Sequence, residues 1–439
     1  MTSGRRAFVL GGGVAGMTAA FGLSDRGFAV ELLESRKQCG GRAFSSAAPK
    51  TQRRLDNGYH IMLGCYRGMQ TLLRRLGTEG DFQQDRSLTM AYRFGPERTA
   101  SLRLSRLPVP LAMPWALLRL GIGFGARLRA FRGMASVMWG ADKTWTFAEW
   151  LRRRGQLGEP DQVMWRPLCR AVMNVEPEDA SAAEFLAALR EAFLGSAASA
   201  AFWLPKKPWG ELLGDPALRA FENEGIKLRT GARVTELKFE GDRVVAIVLG
   251  DEVIEVGADD TVVSAMPWFA LRKVLGDHEA LTKAFGTLRS SPIVTAYFTM
   301  VNQPPPDEGP VVALVGGQPF HFLLRTPGDP TAQFALLSGG NRSFDGKSVA
   351  EITKIAKQQL QRYYGSACTD DDAEVVIRKE QHATFVADPA SAVLRPTPGR
   401  LPNGPSNLLV CGDWTATGLP ATLEGATRSA EKLLASLPN

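Results

Sequence analysis

Residues 8–16 read Phe8-Val9-Leu10-Gly11-Gly12-Gly13-Val14-Ala15-Gly16, an apolar strand that runs directly into a glycine-rich turn. A second apolar run, Phe28–Leu33, follows a helix-like stretch and ends at Glu34. Glycines at positions 11, 13 and 16 permit a tight turn, a close approach of the backbone to a pyrophosphate, and close packing of helix on sheet. A helix beginning near Val14 would direct its free N–H groups at the phosphates. Because Glu34 can then accept hydrogen bonds from both ribose hydroxyls of an adenosine, this order of elements predicts a dinucleotide site rather than an ordinary glycine-rich turn.

The composition is typical of a globular enzyme with more than one domain. The chain has 439 residues, of which 44% are apolar and 22% charged, enough to build a sizeable core. Its cysteines are odd in number, scattered and free of any CxxC pair, which argues against both a disulfide framework and a metal site. They are Cys39, Cys65, Cys169, Cys368 and Cys411. Although Arg5-Arg6 precedes an apolar run, that run is the first predicted strand, so we expect no export and a cytoplasmic protein.

Basic residues are concentrated in one segment of this chain, whose net charge is +7. Residues 98–141 contain no Asp or Glu, and their arginines are Arg98, Arg103, Arg106, Arg119, Arg127, Arg129 and Arg132. Within the segment, Leu107–Leu118 is uncharged and includes Trp115, yet it is shorter than the roughly twenty residues that span a bilayer. Such a stretch between arginines is typical of a segment lying in the headgroup layer of an anionic membrane. We therefore predict peripheral contact at the inner face of the plasma membrane, the alternative being a helix with a solvated basic face. No nucleic-acid-binding module is recognisable.

Two further motifs resemble those of flavoproteins. Gly40-Gly41-Arg42 follows the second predicted strand, as in the glutathione-reductase-type flavoproteins related to amine oxidases and phytoene desaturases, where the arginine contacts the pyrophosphate and the flavin side. Residues 407–411 predict a buried strand that opens onto Gly412-Asp413, and Gly418-Leu419-Pro420-Ala421 is expected to start a helix. The resemblance implies that Asp413 binds the ribityl chain of FAD. It also implies that the N–H groups near Leu419 and Ala421 face the pyrimidine edge of the flavin, where a helix N-terminus stabilises the anionic reduced ring.

A third flavin motif stands in the middle of the chain. Gly231–Leu237 leads into a predicted hairpin at 238–248, and Val234 stands where this superfamily packs its backbone against the adenine. Thr261–Pro267 is similar to a strand motif of the amine-oxidase-like group. The fold class is therefore expected to be α/β, with a discontinuous glutathione-reductase-type Rossmann FAD-binding domain and an α+β substrate domain.

The positions of these motifs also set the expected domain boundaries. The FAD-binding domain comprises 1–75, 210–267 and 396–439, and the substrate-binding domain comprises 76–209, mostly helical, and 268–395. Further expected elements are strands at Ile293–Met300, Phe320–Leu324 and Phe334–Ser338, a helix at Val349–Tyr364, and a surface loop at Asn302–Asp307.

Over nearly its whole length the chain resembles one family, the squalene-associated FAD-dependent desaturases, which are the bacterial hydroxysqualene dehydroxylases. The resemblance rests on Leu55–Ile61, on Trp165–Cys169 with Asn174, and above all on the block Gly412–Ala426. It implies non-covalently bound FAD, and the implied cofactor-binding residues are Gly11, Gly13, Val14, Ala15, Gly16, Glu34, Ser35, Gly41, Arg42, Asn57, Gly58, Val234, Gly412, Asp413, Gly418, Leu419, Pro420 and Ala421. Tyr59 departs from the family pattern, which has Gln more often, and Phe202–Lys207 matches only loosely.

The resemblance implies a reaction in which the hydroxyl of hydroxysqualene is removed reductively, as water leaves a doubly allylic carbon and reduced flavin delivers a hydride. Such a reaction needs a long apolar cavity and a group that protonates or hydrogen-bonds the leaving oxygen. His60 is the candidate acid because its motif should pass close to the flavin and histidine titrates near neutrality; the alternative is a core imidazole. Asp56 and Asn57 are expected to fix that loop. The candidate substrate-lining residues, each of which could instead be plain core, are Tyr59, Trp165, Leu168, Phe202, Trp203, Trp268 and Trp414.

Two other kinds of function stay open at this point. A carotenoid desaturase or a flavin amine oxidase shares the fold, and a flavin-bearing chaperone or lipid-binding protein would have no turnover. Polyamine oxidases generally need a lysine bonded through water to the flavin, and Lys206 and Lys207 lie in the loosely matched stretch. Oxidation of a hydrocarbon and reduction of an alcohol cannot be distinguished by fold alone. The expected partners are a long apolar isoprenoid substrate and an external electron donor.

Overall fold

This computed structural model describes residues 5–48, 53–276, 278–283, 285–299, 305–325, 334–368 and 373–437. The strands within them are β1 (Arg6–Leu10), β2 (Ala29–Glu34), β3 (Ser45–Ala47), β4 (Arg54–Asp56), β5 (Met62–Leu63), β6 (Phe82–Gln84), β7 (Thr89–Arg93), β8 (Thr99–Arg103), β9 (Phe202–Pro205), β10 (Lys227–Thr230), β11 (Glu236–Glu240), β12 (Arg243–Leu249), β13 (Glu252–Glu255), β14 (Thr261–Ser264), β15 (Ser290–Thr299), β16 (Val311–Leu314), β17 (Phe322–Arg325), β18 (Phe334–Gly339), β19 (Glu374–Phe385), β20 (Gly399–Arg400) and β21 (Leu408–Val410).

The helices of the same residues are α1 (Val14–Ser24), α2 (Arg67–Leu76), α3 (Val109–Leu118), α4 (Phe124–Ser136), α5 (Phe147–Arg153), α6 (Arg166–Met173), α7 (Ala182–Phe193), α8 (Ala197–Ala200), α9 (Trp209–Asn223), α10 (Trp268–Leu275), α11 (Glu279–Thr282), α12 (Val349–Tyr364), α13 (Pro389–Leu394) and α14 (Leu423–Ala435). A π-helical turn, Asp161–Trp165, leads into α6. In the described part of the chain, no helix combines the length and the apolar character needed to cross a bilayer.

The predicted dinucleotide unit forms the centre of one sheet. The order of its strands is β10-β2-β1-β14-β21-β20, with β1 parallel to both β2 and β14, and β14 parallel to β21. Helix α1 begins at Val14, as predicted, and packs on α14. The predicted strands, turn and helix of this unit are confirmed, and segments separated by most of the sequence meet in a single sheet.

The expected hairpin before β14 is also confirmed. Strands β11 and β12 pair antiparallel around Gly241, whose φ of 58° lies in the left-handed region that favours glycine. Strand β13, which the sequence pattern did not predict, adds a third strand to this hairpin.

A second large sheet has the order β19-β15-β18-β17-β16-β7-β8. Its strands β15, β17 and β18 appear where strands were expected, and α12 has the predicted bounds; Met300 and residues 302–304 of the expected loop lie outside the described residues. The prediction for 76–209 was incomplete, because β7 and β8 from this mostly helical insertion join the sheet through the parallel pairing of β7 with β16. Pairing partners more than 200 residues apart leave no local sequence pattern.

Successive residues of β17 show how this sheet is covered. Phe322 and Leu324 face the core that includes the helical insertion with Trp165, whereas Leu323 faces the core built on Leu360 of α12. This alternation places one face of the sheet toward the helical insertion and the other toward α12.

The last helix begins later than the sequence predicted. Gly418–Ala421 form a turn, and α14 starts at Leu423 after Thr422, whose Oγ1 accepts a hydrogen bond from Gly425 N at 2.9 Å. The N–H of Leu419 is already bonded to Thr417 Oγ1, at 3.2 Å. The prediction was wrong by a few residues because the threonine cap, a strong helix start, follows the Gly-Leu-Pro-Ala motif rather than preceding it.

Candidate flavin-binding and substrate site

Gly11, Gly13 and Gly16 of the first turn lie where the backbone is strained or approaches a neighbouring segment closely. Gly11 has a φ of 105°, and a Cβ built on Gly16 would lie only 1.8 Å from the carbonyl oxygen of Gly11, so helix α1 touches the turn directly. A Cβ on Gly41 would lie 3.0 Å from Cα of Gly13, and Gly40 N donates to Gly12 O at 2.9 Å. The Gly40-Gly41 loop therefore packs against the turn, and side chains are excluded where the two backbones meet.

The N-terminus of α1 opens beside this contact. Gly13 is its N-cap residue, no side chain caps it, and no acidic residue stands in its first turn. The N–H groups of Val14, Ala15 and Gly16 consequently have no partner within the helix and carry the positive end of its dipole. This arrangement suits a phosphate group.

The carboxylate of Glu34 closes the other side of the turn. It is buried, and its Oε2 and Oε1 accept hydrogen bonds from Gly12 N and Arg36 N, each at 2.7 Å. Ser35 Oγ donates to the same Oε1 at 3.3 Å. Ala232 N donates to Glu34 O at 2.8 Å, which brings the segment carrying the partly buried Val234 beside the end of β2. A carboxylate oxygen accepts more than one hydrogen bond, so Glu34 keeps acceptor capacity for the ribose hydroxyls predicted from the sequence.

An ion pair joins the two predicted flavin motifs. The guanidinium of Arg42 pairs with the buried carboxylate of Asp413 and also donates to Ala383 O at 2.8 Å. Gly412 N donates to Ser429 Oγ at 2.8 Å, which ties the end of β21 to helix α14. Arg42 and Asp413, assigned separately to the cofactor from the sequence, are therefore direct neighbours at the end of the sheet.

These observations provide a test of fit for a flavin dinucleotide. The structure combines a side-chain-free cradle at Gly13 and Gly41, an uncapped helix N-terminus, the ribose acceptor Glu34 and the pair Arg42–Asp413, all at the carboxyl ends of β1, β2 and β21. Ligands of open α/β sheets bind at that edge. The residues present thus fit the group. Burial raises the pKa of the Cys411 thiol to about 12, so this thiol is not a reactive thiolate.

The loop that carries His60 is anchored at both ends to helix α9. Asp56 accepts hydrogen bonds from Ser45 Oγ at 2.6 Å and from Trp209 N, the first residue of α9, at 2.8 Å. Toward the other end of the loop, Trp209 Nε1 donates to His60 O at 3.1 Å. Burial raises the pKa of Asp56 to about 6. The expectation that Asp56 and Asn57 fix this loop agrees with these contacts, since the amide of Asn57 bonds Glu380 of β19.

His60 lies between the predicted cofactor site and the second sheet. Among the described residues no group forms a well-aligned hydrogen bond with its buried Nδ1, and its ring packs edge-on to Trp209 with centroids 6.0 Å apart. Burial and, to a smaller extent, the nearby charge of Arg42 lower the pKa of His60 to about 4, against the opposing effect of a backbone hydrogen bond to Gly58. The imidazole is therefore neutral near pH 7, unlike the near-neutral titration expected from the sequence.

The second sheet presents an apolar surface under this loop. A Cβ on Gly58 would lie 3.9 Å from Ile293 Cγ2, and Tyr297, four residues along β15, donates from its hydroxyl to Asp56 O at 3.2 Å. Leu337 of β18 pairs with Thr295 of β15, so it shares this face. Ile293 and Leu337 remain partly exposed although both lie on inner strands of the sheet. Side chains in that position keep exposed surface only where the packing over them is incomplete, and we call this part of the face the opening.

Unpartnered polar atoms border the same opening. Thr295 Oγ1 and Asn174 Oδ1 are buried, and neither has a hydrogen-bond partner in the part of the chain that the structure describes; Asn174 ends α6. A Cβ on Gly339, the cross-strand partner of Ile293, would lie 2.4 Å from Asn174 Oδ1, which places Asn174 over the same face. Buried polar atoms are normally paired, so Thr295, Asn174 and His60 mark a place for a polar group among apolar side chains. Sequence reasoning missed Thr295 and Leu337, because only strand register brings them together.

The aromatic residues chosen from the sequence as substrate-lining lie mostly in closed core. Trp165 is fully buried against Phe147 and Trp150, and its Nε1 donates to Gln156 at 2.9 Å. The other buried members have backbone partners or strand neighbours: Trp268 donates to Leu288 O, Trp414 donates to Met266 O, Leu168 packs in the same core as Trp165, and Phe202 lies in β9. Their lining role stays a prediction, and their contacts are those of core residues.

Two lining candidates keep exposed surface. Trp203, in β9, is partly buried and packs near Phe82, with ring centroids 6.3 Å apart. Tyr59 is also partly buried, and its hydroxyl donates to Arg325 O at the end of β17. Of the predicted set, Tyr59 is the residue that belongs to the His60 loop itself.

Comparison with known proteins agrees with this geometry. The family model of the flavin containing amine oxidoreductases matches residues 14–432. The chain belongs to this family. As a flavin containing amine oxidoreductase, it is an oxidoreductase with a flavin cofactor.

Individual members of the family give a finer comparison. A hydroxysqualene dehydroxylase of Sinorhizobium fredii is 28% identical, over 97% of this chain and 96% of the relative. A second hydroxysqualene dehydroxylase, from Rhodopseudomonas palustris, is 29% identical over the same shares. A 15-cis-phytoene desaturase of Narcissus pseudonarcissus is 27% identical over 62% of this chain and 49% of the relative. Carotenoid desaturases are thus weaker relatives of this amine oxidoreductase.

Among solved structures, an oxidoreductase from Methanosarcina mazei aligns with a TM-score of 0.73, covering 98% of this chain and all of the other. At 15% sequence identity this likeness shows the fold alone. The predicted α/β class with an amine-oxidase-like architecture is confirmed.

Proposed function

We propose that the chain is an FAD-dependent hydroxysqualene dehydroxylase that reduces hydroxysqualene to squalene in squalene and hopanoid biosynthesis. The observation that carries the proposal is the opening at Ile293 and Leu337, an apolar surface bordered by the unpartnered buried atoms of His60, Thr295 and Asn174. A long hydrocarbon with a single hydroxyl needs this combination of apolar wall and isolated polar atoms. Glu380, the β19 neighbour of Ile293, is a carboxylate on this face, and its Oε2 already accepts a hydrogen bond from the amide of Asn57.

The proposed cofactor is FAD, bound without a covalent link. Glu34 would accept the ribose hydroxyls, the N-terminus of α1 would hold the pyrophosphate, and Arg42 with Asp413 would lie toward the flavin half. The remaining cofactor-binding residues predicted from the sequence belong to the same proposal. So does the division into a cofactor-binding part, 1–75, 210–267 and 396–439, and a substrate-binding part, 76–209 and 268–395.

In the proposed reaction the chain's own residues act on the hydroxyl of the substrate. Because the imidazole of His60 is neutral near pH 7, it would first take up a proton from solvent and then pass that proton to the oxygen, while Thr295 Oγ1 orients the hydroxyl. The C–O bond breaks, water leaves with the bonding electron pair, and the allylic cation left behind takes up a hydride, so the alcohol, one proton and one hydride become the hydrocarbon and water. The bound flavin, reduced by an external donor, supplies that hydride. Ile293 and Leu337 keep water away from the cation, which water would otherwise recapture.

The test is anaerobic incubation of the reduced protein with hydroxysqualene, squalene and phytoene, each followed by product analysis. Squalene should form from hydroxysqualene alone. His60→Ala should slow this step by about 10²–10⁴, the usual contribution of a positioned acid, with the flavin content unchanged. Thr295→Val, which keeps the shape of the side chain, should slow it by about three- to tenfold, the effect of one hydrogen bond. If the replete, reduced protein forms no squalene and the oxidised protein desaturates phytoene, the chain is a carotenoid desaturase.

The proposal includes a location. The protein would be cytoplasmic and would touch the anionic inner face of the plasma membrane through Leu107–Leu118, because its apolar substrate is stored in bilayers. Exposed Leu111 and Trp115 of α3 support this contact.

A further inference from the structure

Helices α3 and α4 expose an apolar surface that is larger than the segment expected from the sequence. The exposed side chains Leu111, Trp115 and Leu118 are spaced by three and four residues, which places them on one face of α3, and exposed Leu107 lies just before the helix. The exposed side chains Phe124, Leu128 and Phe131 repeat the spacing on α4, and Met138 and Trp139 follow it. Trp115 is 69% exposed, Phe124 79% and Trp139 76%. We call these nine residues the docking face.

The opposite sides of the two helices are buried. Ala112, Met113 and Ala116 of α3, with Ala126 and Ala130 of α4, pack into the core that covers the second sheet. Both helices are therefore held by their inner sides, and the docking face is not a core surface left open by a loose helix. An exposed apolar patch of this extent normally marks an interaction site.

The charged side chains of the segment that carries the docking face are all basic, and Glu159, which accepts a hydrogen bond from Gly123 N at 3.1 Å, is an acid beside it. Arg103, Arg106, Arg119, Arg129 and Arg132 are exposed, and within the described residues none of their guanidinium groups forms an ion pair. Residues 98–141 contain no acidic residue that could neutralise them. A second copy of the chain would bring like charges together across the interface, whereas an anionic surface would compensate them.

A cleft lies where the arginines meet the apolar side chains. Its volume is about 320 Å³, and it is lined by Arg103, Leu104, Ser105, Trp115, Leu118 and Arg119. Two unpaired guanidinium groups and a hydroxyl form its polar part, and Trp115 and Leu118 form its apolar rim. Guanidinium groups bind phosphate through charge-assisted hydrogen bonds, and tryptophan favours the boundary between headgroups and acyl chains.

We propose that the docking face binds an anionic phospholipid bilayer, with a headgroup phosphate held between Arg103 and Arg119 and the apolar side chains of both helices in the acyl layer. This inference extends the membrane contact of the proposed function. It rests on that function, because it takes the bilayer as the source of the substrate. It adds helix α4, Trp139 and a defined headgroup site.

The test is co-sedimentation of the flavin-loaded protein with vesicles of neutral phosphatidylcholine or of phosphatidylcholine mixed with phosphatidylglycerol. Wild-type protein should bind the mixed vesicles, less tightly as salt rises. Phe124→Asp with Trp139→Asp should weaken binding to both vesicle types by more than about tenfold. Arg103→Gln with Arg119→Gln should weaken binding to mixed vesicles by about tenfold and reduce the preference for them, which Arg106, Arg129 and Arg132 partly retain. The matched controls Val393→Asp and Arg219→Gln, exposed elsewhere, should bind like wild type.

Specific results would overturn the proposal. Equal wild-type binding to neutral and mixed vesicles would exclude the headgroup site. Retention of free inorganic phosphate, without vesicle binding, would make the cleft a site for a soluble anion. A concentration-dependent dimer that Phe124→Asp dissociates in the absence of lipid would assign the face to a second copy. Flavin content and turnover of detergent-dispersed hydroxysqualene are measured on the same proteins. If the wild type does not turn over hydroxysqualene but still binds mixed vesicles, the proposed function fails and the membrane proposal stands.

Discussion

The carboxylate of Glu34 holds the turn of β1 through Gly12 N and β2 through Arg36 N, so it links two strand ends before any ligand is added. Glu34→Ala removes the ribose acceptor and should weaken FAD binding by about 1.5–3 kcal/mol, the usual effect of losing a hydrogen bond to a charged group. Flavin fluorescence titration of the apoprotein measures this. Glu252→Ala, which removes an exposed acid from β13, is the control and should leave the dissociation constant unchanged. An unchanged constant for Glu34→Ala would show that the ribose is bound elsewhere.

The lowered pKa of His60 makes a second residue-scale prediction, about stability. The pKa falls from 6.5 to about 4 in the folded chain because of burial, so the unfolded chain takes up a proton that the folded chain refuses as the pH falls through this range. The contribution to stability is fully present above pH 6.5 and is lost between about pH 6.5 and 4, by up to about 3 kcal/mol.

Urea unfolding at pH 7.5 and at pH 5 should therefore show a smaller loss of stability for His60→Gln than for the wild type. His278→Gln, which removes an exposed histidine, is the matched control and should behave as the wild type does. A His60→Gln profile parallel to that of the wild type would mean that His60 has an ordinary pKa.

Single residues also show where the sequence was informative. Gly11, Gly16 and Glu34 were predictable because their roles depend on neighbours within one strand-turn-helix-strand unit. The roles of Thr295 Oγ1 and of the partly exposed Leu337 were not predictable, because they depend on the pairing of β15 with β18 in the second sheet. The closed packing of Trp165 was not predictable either, because an aromatic side chain suits a core and a substrate cavity equally well.

Helix α2 shows how one element is held by another from the far end of the sequence. The carboxylate of Glu424, 1% exposed, accepts hydrogen bonds from Gly68 N at 3.2 Å and Met69 N at 3.1 Å in the first turn of α2, and pairs with Arg428. Glu424→Ala should reduce the free energy of unfolding by about 2–4 kcal/mol, because it leaves two buried N–H groups without their acceptor and removes one of the two carboxylates that pair with Arg428. Denaturant unfolding measures the change. Glu222→Ala, an exposed position on α9, should change it by less than about 0.5 kcal/mol. A similar small change at Glu424 would show that water replaces its contacts.

Elements with local start signals were predicted best. Helix α12 begins after a capping box of Ser348 and Glu351, and its predicted bounds were confirmed. Helix α14 was placed too early because the cap at Thr422 is the stronger signal. Strands β7 and β8 were missed because their sequence lies beside long helices and their partner β16 is distant.

At the scale of the whole molecule, one cofactor would join three separated parts of the chain. FAD at about a hundredfold over its dissociation constant should therefore add about 2.7 kcal/mol to the stability of the protein. For a chain of 439 residues the midpoint of thermal unfolding should rise by about 3 °C relative to the apoprotein, as measured by far-ultraviolet circular dichroism. Flavin mononucleotide lacks the adenosine half that Glu34 would bind, so it should raise the midpoint less. Equal shifts for the two flavins would mean that the glycine turn contributes nothing to binding.

The position of β21 and α14 at the far end of the sequence affects how the protein is made. About 400 residues separate β1 from β21, and α1 packs so closely on α14 that a Cβ on Gly22 would lie 2.2 Å from Leu434. At roughly 5–20 residues per second, a ribosome needs about 20–80 seconds to supply the missing strand and helix. During that time the apolar side of α1 on the nascent chain lacks its native cover. Early fragments of this protein are therefore natural clients for chaperones, and a ribosome that stalls before β21 releases a chain that cannot complete its sheet.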